Sequence, residues 1–140
     1  MKLAIQLLHP QAKLPTYANS GDAGMDLCTT TKIILRPGRT ATVPTGIACQ
    51  LPRGTVGLVW DKSGLATRHG LKVLGGVIDE GYRGEIMVGL ANLGTKTVTL
   101  DVGHKVAQML IQKIDRPTIR KVTKLSASQR GTKGFGSSGK

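Results

Sequence analysis

Four short stretches of this chain carry residues able to do chemistry. The first, "GGVIDEGYRGEI" (75–86), holds three of the eight acidic residues, Asp79, Glu80 and Glu85. Its apolar, turn, apolar order predicts a hairpin with its tip near Glu80-Gly81. Asp79 then stands where an apolar strand enters the turn. Partial burial there would raise its pKa and suit it to general-base work, while an Asp at such a place also serves simply as a turn cap. Glu80 and Glu85 read as solvated hairpin charges, with Arg83 as a partner for Glu85. The second stretch, "WDKSGLA" (60–66), puts an ammonium, a hydroxyl and unpaired N–H groups together at Lys62, Ser63 and Gly64. That set fits a phosphate seat, or more plainly an N-cap serine beside a surface lysine. The third, "SGDAGMDLC" (20–28), places Asp22 and Asp26 in a Gly-rich turn, where an acid caps the backbone or orients a cation or another side chain. The fourth, "GFGSSG", satisfies G-x-G-x-x-G at Gly134, Gly136 and Gly139. A dinucleotide fold needs a strand before that motif and a helix after it, and only Lys140 follows here. What remains is the physics beneath the pattern: glycines let backbone N–H groups approach phosphate, and Ser137, Ser138, Arg130 and Lys133 add donors and charge.

Other reactive types are scattered. His9, His69 and His104 have no metal-ligand spacing and define no catalytic triad, so they read as structural histidines. Cys28 and Cys49 lie far apart without a Cys-x-x-Cys pair, which fits two free, mostly buried thiols in a reducing cytosol.

The elements that must position these residues are short strands. Apolar or alternating runs recur as "KLAIQLL", "KIIL", "ATVPTGIACQL", "TVGLVW", "KVLGGVI", "EIMVGLANL", "KTVTL" and "KVAQMLIQKI", separated by Gly, Pro, Asn and Asp. That spacing predicts an all-β barrel or sandwich. Pro37-Gly38 and Arg53-Gly54 read as turns joining antiparallel strands. Only "SGLATRHG" (63–70) has the makings of a short helix, with Ser63 as its N-cap.

At 140 residues the chain is the size of one domain. Its N-terminal run ends at His9-Pro10 before a signal peptide would be complete, and no segment approaches the ~20 apolar residues of a membrane span. A soluble, unsecreted protein is expected, cytoplasmic or, depending on its source, nuclear or viral. The formal charge of +12 predicts attraction to polyanions: nucleic acid, an anionic membrane surface or a phosphorylated small molecule. Only Trp60, Tyr17, Tyr82 and Phe135 are aromatic, which argues against a single-strand binder built on stacking. From Arg116 on there are seven Lys or Arg and no acid, a composition that cannot bury itself. The expected organisation is a catalytic β-barrel over 1–125 and a flexible arm over 126–140.

Taken in order, "AGMDL", "DKSGLA", "GGVIDEGYRGEI", "GHKVAQML" and "RGTKGFGSSG" resemble the five motifs of the trimeric deoxyuridine triphosphate nucleotidohydrolase (dUTPase) family, spread from residue 23 to residue 139. The resemblance implies a jelly-roll-like β-barrel subunit and a homotrimer whose active sites are built between chains. It also implies hydrolysis of dUTP to dUMP and pyrophosphate by water attack on the α-phosphorus, which keeps uracil out of DNA and supplies dUMP for thymidylate synthesis. Mg²⁺ is the implied cofactor, held mainly by the triphosphate and water, with Asp26 in its outer shell. Asp79 becomes the base that deprotonates the attacking water. Tyr82 packs on the deoxyribose, and backbone groups around Gly76, Val77 and Met87 read the uracil edge. Lys62, Ser63 and Gly64 seat the phosphates with support from Gln108. The arm closes over the nucleotide through Arg130, Phe135 stacked on uracil, and Gly136, Ser137 and Ser138 on phosphate oxygens.

The chain departs from the family pattern where Asp61-Lys62 replaces Pro-Arg, where His104-Lys105 replaces an acid followed by Arg, and where Met25 replaces Tyr. Lys keeps the charge of Arg but loses its bidentate fork. A deaminase of dCTP on the same scaffold needs a Glu where this chain has Gly89. A basic interaction protein on that scaffold would leave Asp79, Tyr82 and Phe135 without a purpose.

Overall fold

The structure is a computed structural model and describes residues 1–132 and Gly134. Eleven strands and one helix occur among the described residues. In chain order these are β1 (Ala4–Leu7), β2 (Met25–Cys28), β3 (Ile33–Leu35), β4 (Thr40–Pro44), β5 (Ile47–Gln50) and β6 (Thr55–Asp61), then α1 (Ser63–His69). They continue with β7 (Leu71–Leu74), β8 (Val77–Ile78), β9 (Met87–Asn92), β10 (Val98–Leu100) and β11 (Lys105–Lys113). The chain is all-β with one short helix, as the strand-length runs predict.

Every pairing is antiparallel, and the strands form four sheets rather than one closed ladder: β1–β5, β10–β3, β2–β11–β6–β8 and β4–β9–β7. One core lies between them. Leu27, Leu35, Val43, Ile47, Ile86, Val88, Leu90, Val106 and Met109 are all fully buried in it. Each aliphatic side chain so buried contributes roughly 1.5–3 kcal/mol, which explains why four separate ladders hold as one body. Asn92 is among the buried polar side chains and is satisfied: its amide donates to the carbonyls of Leu35 and Lys96, and its Oδ1 accepts from the Gly94 N–H.

The turns at 37–38 and 53–54 exist, closed by Arg39 N–H to Arg36 O and Thr55 N–H to Pro52 O. The strands they join do not pair with each other. β3 and β4 enter different sheets, as do β5 and β6. The stretch 75–86 behaves alike. β8 pairs with β6 while β9 pairs with β4 and β7, so the expected hairpin is a corner between two sheets whose tightest point is the Asp79–Tyr82 turn.

In α1 the cap is Lys62, with extended backbone, and Ser63 is already helical instead of capping. Gly70 ends the helix in the left-handed region, where its N–H returns to Ala66 O. Asp26 is not in a turn at all. It lies within β2, 4% exposed, whereas Asp22 caps a turn by accepting the Asn19 N–H. From 114 to 132 there is no helix or strand. Residues 115–132 are exposed throughout.

Candidate active site

The conspicuous charge cluster is at Asp26. Lys62 Nζ donates to Asp26 Oδ1 at 2.5 Å, and Lys105 Nζ stands 2.7 Å from Oδ2. The Lys105 contact is an ion pair at an angle that leaves Oδ2 without a directed hydrogen bond. Burial would push the Asp26 carboxyl up, but the ammonium groups of Lys105 and Lys62 together outweigh it and hold the pKa below its ordinary value. β11 runs between the partners: in its register Gln108 faces Asp26 on one side and Trp60 on the other.

Gln108 is itself held in place. Its Nε2 donates to the backbone carbonyl of Asp61 at 2.9 Å. Its Oε1 passes so close to Gly24 that a Cβ there would sit 2.4 Å away, so the "AGMDL" glycine is what lets the amide lie across the strand. Lys62, Ser63 and Gly64 follow directly at the start of α1, with Ser63 and Gly64 exposed. The N–H groups of that first turn have no intrahelical acceptor. A cleft of about 430 Å³ opens beside them, lined by Asp22, Gly24, Trp60, Asp61 and Gln108 among others.

The second grouping is the corner after β8. Val77, Ile78, Asp79, Tyr82, Glu85 and Met87 line one cavity of about 180 Å³. Four of the residues that the sequence offers for a nucleoside pocket, Val77, Asp79, Tyr82 and Met87, are thus brought together. Gly76 lies just outside, at φ +99°, and a Cβ there would meet Val59 O at 2.6 Å. Its own carbonyl is taken by the Val59 N–H.

Asp79 is exposed, so the partial burial expected of it is absent in the single chain. The reason is the length of β8: after two residues the strand is over, and Asp79 stands past its end.

The corner is pinned by its backbone and by the two glutamates. Ile86 N–H donates to Ile47 O, Thr45 Oγ1 to Ile86 O, and Gly46 N–H to Glu85 Oε1 at 2.7 Å. Gly54 N–H donates to Glu80 Oε2 at 2.8 Å, and Arg116 reaches the same oxygen at 3.1 Å. That backbone N–H, ahead of a small opposing burial effect and with help from Arg116, holds the Glu80 carboxyl below its ordinary pKa. Glu80 and Glu85 are therefore loop clamps, not free hairpin charges. Arg83 donates instead to the carbonyls of Glu80 and Tyr82, and the Tyr82 hydroxyl to Glu85 O. Sequence reasoning missed both clamps, because their partners lie 39 and 26 residues away.

The two groupings do not meet within one chain. Ile78 faces Gly57 and Val77 faces Leu58, so Asp79 is level with about Val56, and six strand steps of ~3.3 Å separate that point from Lys62. About 20 Å is far beyond the hydrogen-bond reach a general base needs to serve a phosphate bound at Lys62.

Arg130 is among the described residues and exposed. Phe135, Gly136, Ser137 and Ser138 lie outside them. Cys28 and Cys49 are free, and burial pushes both thiols up. Among the described residues no helix is long and apolar enough to cross a membrane. No group of three or more His, Cys, Asp or Glu comes together among the described residues. Asp26, with both oxygens already facing ammonium groups, does not fit the shell of a magnesium ion in this arrangement.

An all-β chain with a Lys-Ser-Gly seat at one end of a strand and an aromatic-lined pocket bearing a carboxylate at the other has the parts of a nucleotide-processing enzyme. The chain belongs to the dUTPase family, whose model matches residues 10–139. It is 49% identical over 140 residues to the deoxyuridine 5′-triphosphate nucleotidohydrolase of Clostridium tetani, spanning 99% of this chain and 97% of that one. Against the protein of the same name from Thermobifida fusca the identity is 47% over 142 residues, spanning 99% and 79%. Among solved structures, a variant dUTPase of Staphylococcus bacteriophage 80alpha with dUpNHpp superposes with a TM-score of 0.92 at 28% identity, over 99% of this chain and 98% of that one. A variant dUTPase from phage phi11 of S. aureus, described with a structural Mg(II) ion, gives 0.83 at 25% identity over 89% and 98%.

Proposed function

We propose that this protein hydrolyses dUTP to dUMP and pyrophosphate in active sites shared between copies of the chain. The observation that carries the reading is the cavity at the β8 corner, where Asp79, Tyr82, Val77 and Met87 line one nucleoside-sized recess. In it Asp79 takes the proton from the water that attacks the α-phosphorus. Its exposure in the single chain leaves it open to a neighbouring copy and its substrate. Tyr82, fixed by its hydroxyl bond to Glu85 O, presents its ring to the sugar and leaves no room for a 2′-hydroxyl.

The phosphate seat comes from a second copy: Lys62, Ser63 and Gly64, with Gln108 held ready by the Asp61 carbonyl. The separation of about 20 Å along β6 supports a site shared between two chains. A closed symmetric ring of three is the assembly proposed, each copy giving its seat to one site and its corner to another.

Residues 126–140 are proposed as an arm that folds over the nucleotide, with Arg130 on the terminal phosphate and Phe135, Gly136, Ser137 and Ser138 completing the cover. Closure excludes bulk water while the polyphosphate contacts offset the cost of ordering the arm. Mg²⁺ belongs to this reading as a companion of the triphosphate, since it keeps several waters and needs few protein ligands. The free thiols suit a reducing compartment such as the cytoplasm.

The test is pyrophosphate release from dUTP, UTP, dTTP and dCTP with Mg²⁺. A strong preference for dUTP is expected, and equal rates on all four would overturn the reading.

A further inference from the structure

Asp61 ends β6 and immediately precedes the Lys62-Ser63-Gly64 seat. Its Oδ1 accepts the backbone N–H of Val73 at 2.6 Å, and its Oδ2 accepts from Lys72 Nζ at 2.7 Å. Val73 and Lys72 belong to β7, which pairs with β9 in the other sheet, so the carboxylate joins two sheets that share no ladder at this point. Its backbone carbonyl meanwhile holds the amide of Gln108.

The residue at the strand end that launches the seat thus makes three hydrogen bonds, two to β7 and one to the side chain that supports the seat. From β7 the chain runs through Gly75 and Gly76 to Val77, and these line a cavity of about 340 Å³ with Trp60 and Lys72. The carboxyl is only 22% exposed. Burial would push it up, but the Lys72 ammonium and the Val73 N–H hold it below its ordinary pKa, so it stays ionised at neutral pH.

We infer that Asp61 is a positioning residue for polyphosphate recognition: through its bonds to Val73, Lys72 and Gln108 it aims the Lys62-Ser63-Gly64 seat at the β- and γ-phosphates. It touches no substrate itself. A carboxylate suits this place because its two oxygens take a backbone N–H and an ammonium at once while its main chain serves Gln108. Lys62 has a further stake in this support. A lysine is a flexible point charge without the planar fork of arginine, so the strand end beneath it must supply the aim.

The inference rests on the dUTP reading, and the experiment separates the two. Steady-state kcat/KM for dUTP is measured beside the Kd for dUMP, which lacks the two outer phosphates, in the wild-type chain and in Asp61→Ala, Asp61→Asn and Asp61→Glu. Misplacing a seat by about an ångström predicts a loss of roughly tenfold or more in kcat/KM for Asp61→Ala, with dUMP affinity within about twofold of wild type. Asp61→Asn keeps an oxygen for the Val73 N–H and recovers to within about threefold. If Asp61→Ala does not fold, Asp61→Glu decides, since it keeps the charge but moves the carboxylate by one methylene and must show the same split between dUTP and dUMP. Unchanged kcat/KM in a folded variant, or equal losses for dUTP and dUMP, would overturn the inference alone. A wild-type chain inactive on dUTP would overturn both.

Discussion

The seat at Asp26 and Lys62 and the corner at Asp79 and Tyr82 are built in opposite ways. In the seat the carboxylate is inside: a group 4% exposed is flanked by two partly exposed ammonium groups, and the arrangement stands on ion pairs that join β2 to the cap of α1 and to β11. In the corner the side chains proposed to act are outside. Backbone hydrogen bonds and two glutamate clamps do the holding, leaving Asp79 and Tyr82 exposed. The contrast fits the ligand part proposed for each. A polyphosphate binds to charge that is fixed in advance, at a cost in desolvation borne during folding. A nucleoside and its attacking water need accessible groups on a rigid frame.

The sharpest way to break that comparison is Asp79→Asn. It removes the proposed base from an exposed corner, so stability should be unchanged while kcat falls by about 10²–10⁴. Stopped-flow turnover with nucleotide binding measured in parallel checks this. Near-full turnover would remove Asp79 from the mechanism.

Asp26→Asn should do the reverse, with stability affected first. It leaves two ammonium groups facing each other without their carboxylate, a loss of roughly 3 kcal/mol, at the low end for broken buried pairs because both lysines are partly exposed. The sign of the pH dependence is set by the depressed pKa of Asp26. Its contribution is fully present above the unfolded value near 3.8 and is lost as pH falls from there through the folded value. Denaturant melts at pH 7 and below pH 3.8 should therefore show the gap between wild type and Asp26→Asn closing on acidification. A gap that persisted would mean that packing, not charge, makes the difference.

The same division explains what could be seen in the sequence. Runs such as "TVGLVW" and "KVAQMLIQKI" announce β6 and β11 because strand periodicity is local. The turns at 37–38 and 53–54 are equally local, but which strands they bring together is not, and both join different sheets. β2 was hidden because "MDLC" carries an acid in the middle of a strand. What makes Asp26 burial tolerable is Lys62 and Lys105, 36 and 79 positions further on. Glu80 and Glu85 looked solvated for the same reason, their acceptors' partners being the N–H groups of Gly54 and Gly46. The cavity residues Val77, Asp79, Tyr82 and Met87 were legible because they sit within one short stretch, whereas the distance from that stretch to Lys62 appears only once β8 is set against β6.

The claim that both regions serve one reaction from two chains is tested most directly by mixing two damaged proteins. Asp79→Asn spoils the corner and spares the seat; Lys62→Ala spoils the seat and spares the corner. Each alone should release almost no pyrophosphate from dUTP. Unfolded together in equal amounts and refolded, they should regain about a quarter of wild-type activity, because in a symmetric ring that fraction of sites pairs an intact seat with an intact corner. Activity no greater than the sum of the two separate variants would contradict a shared site.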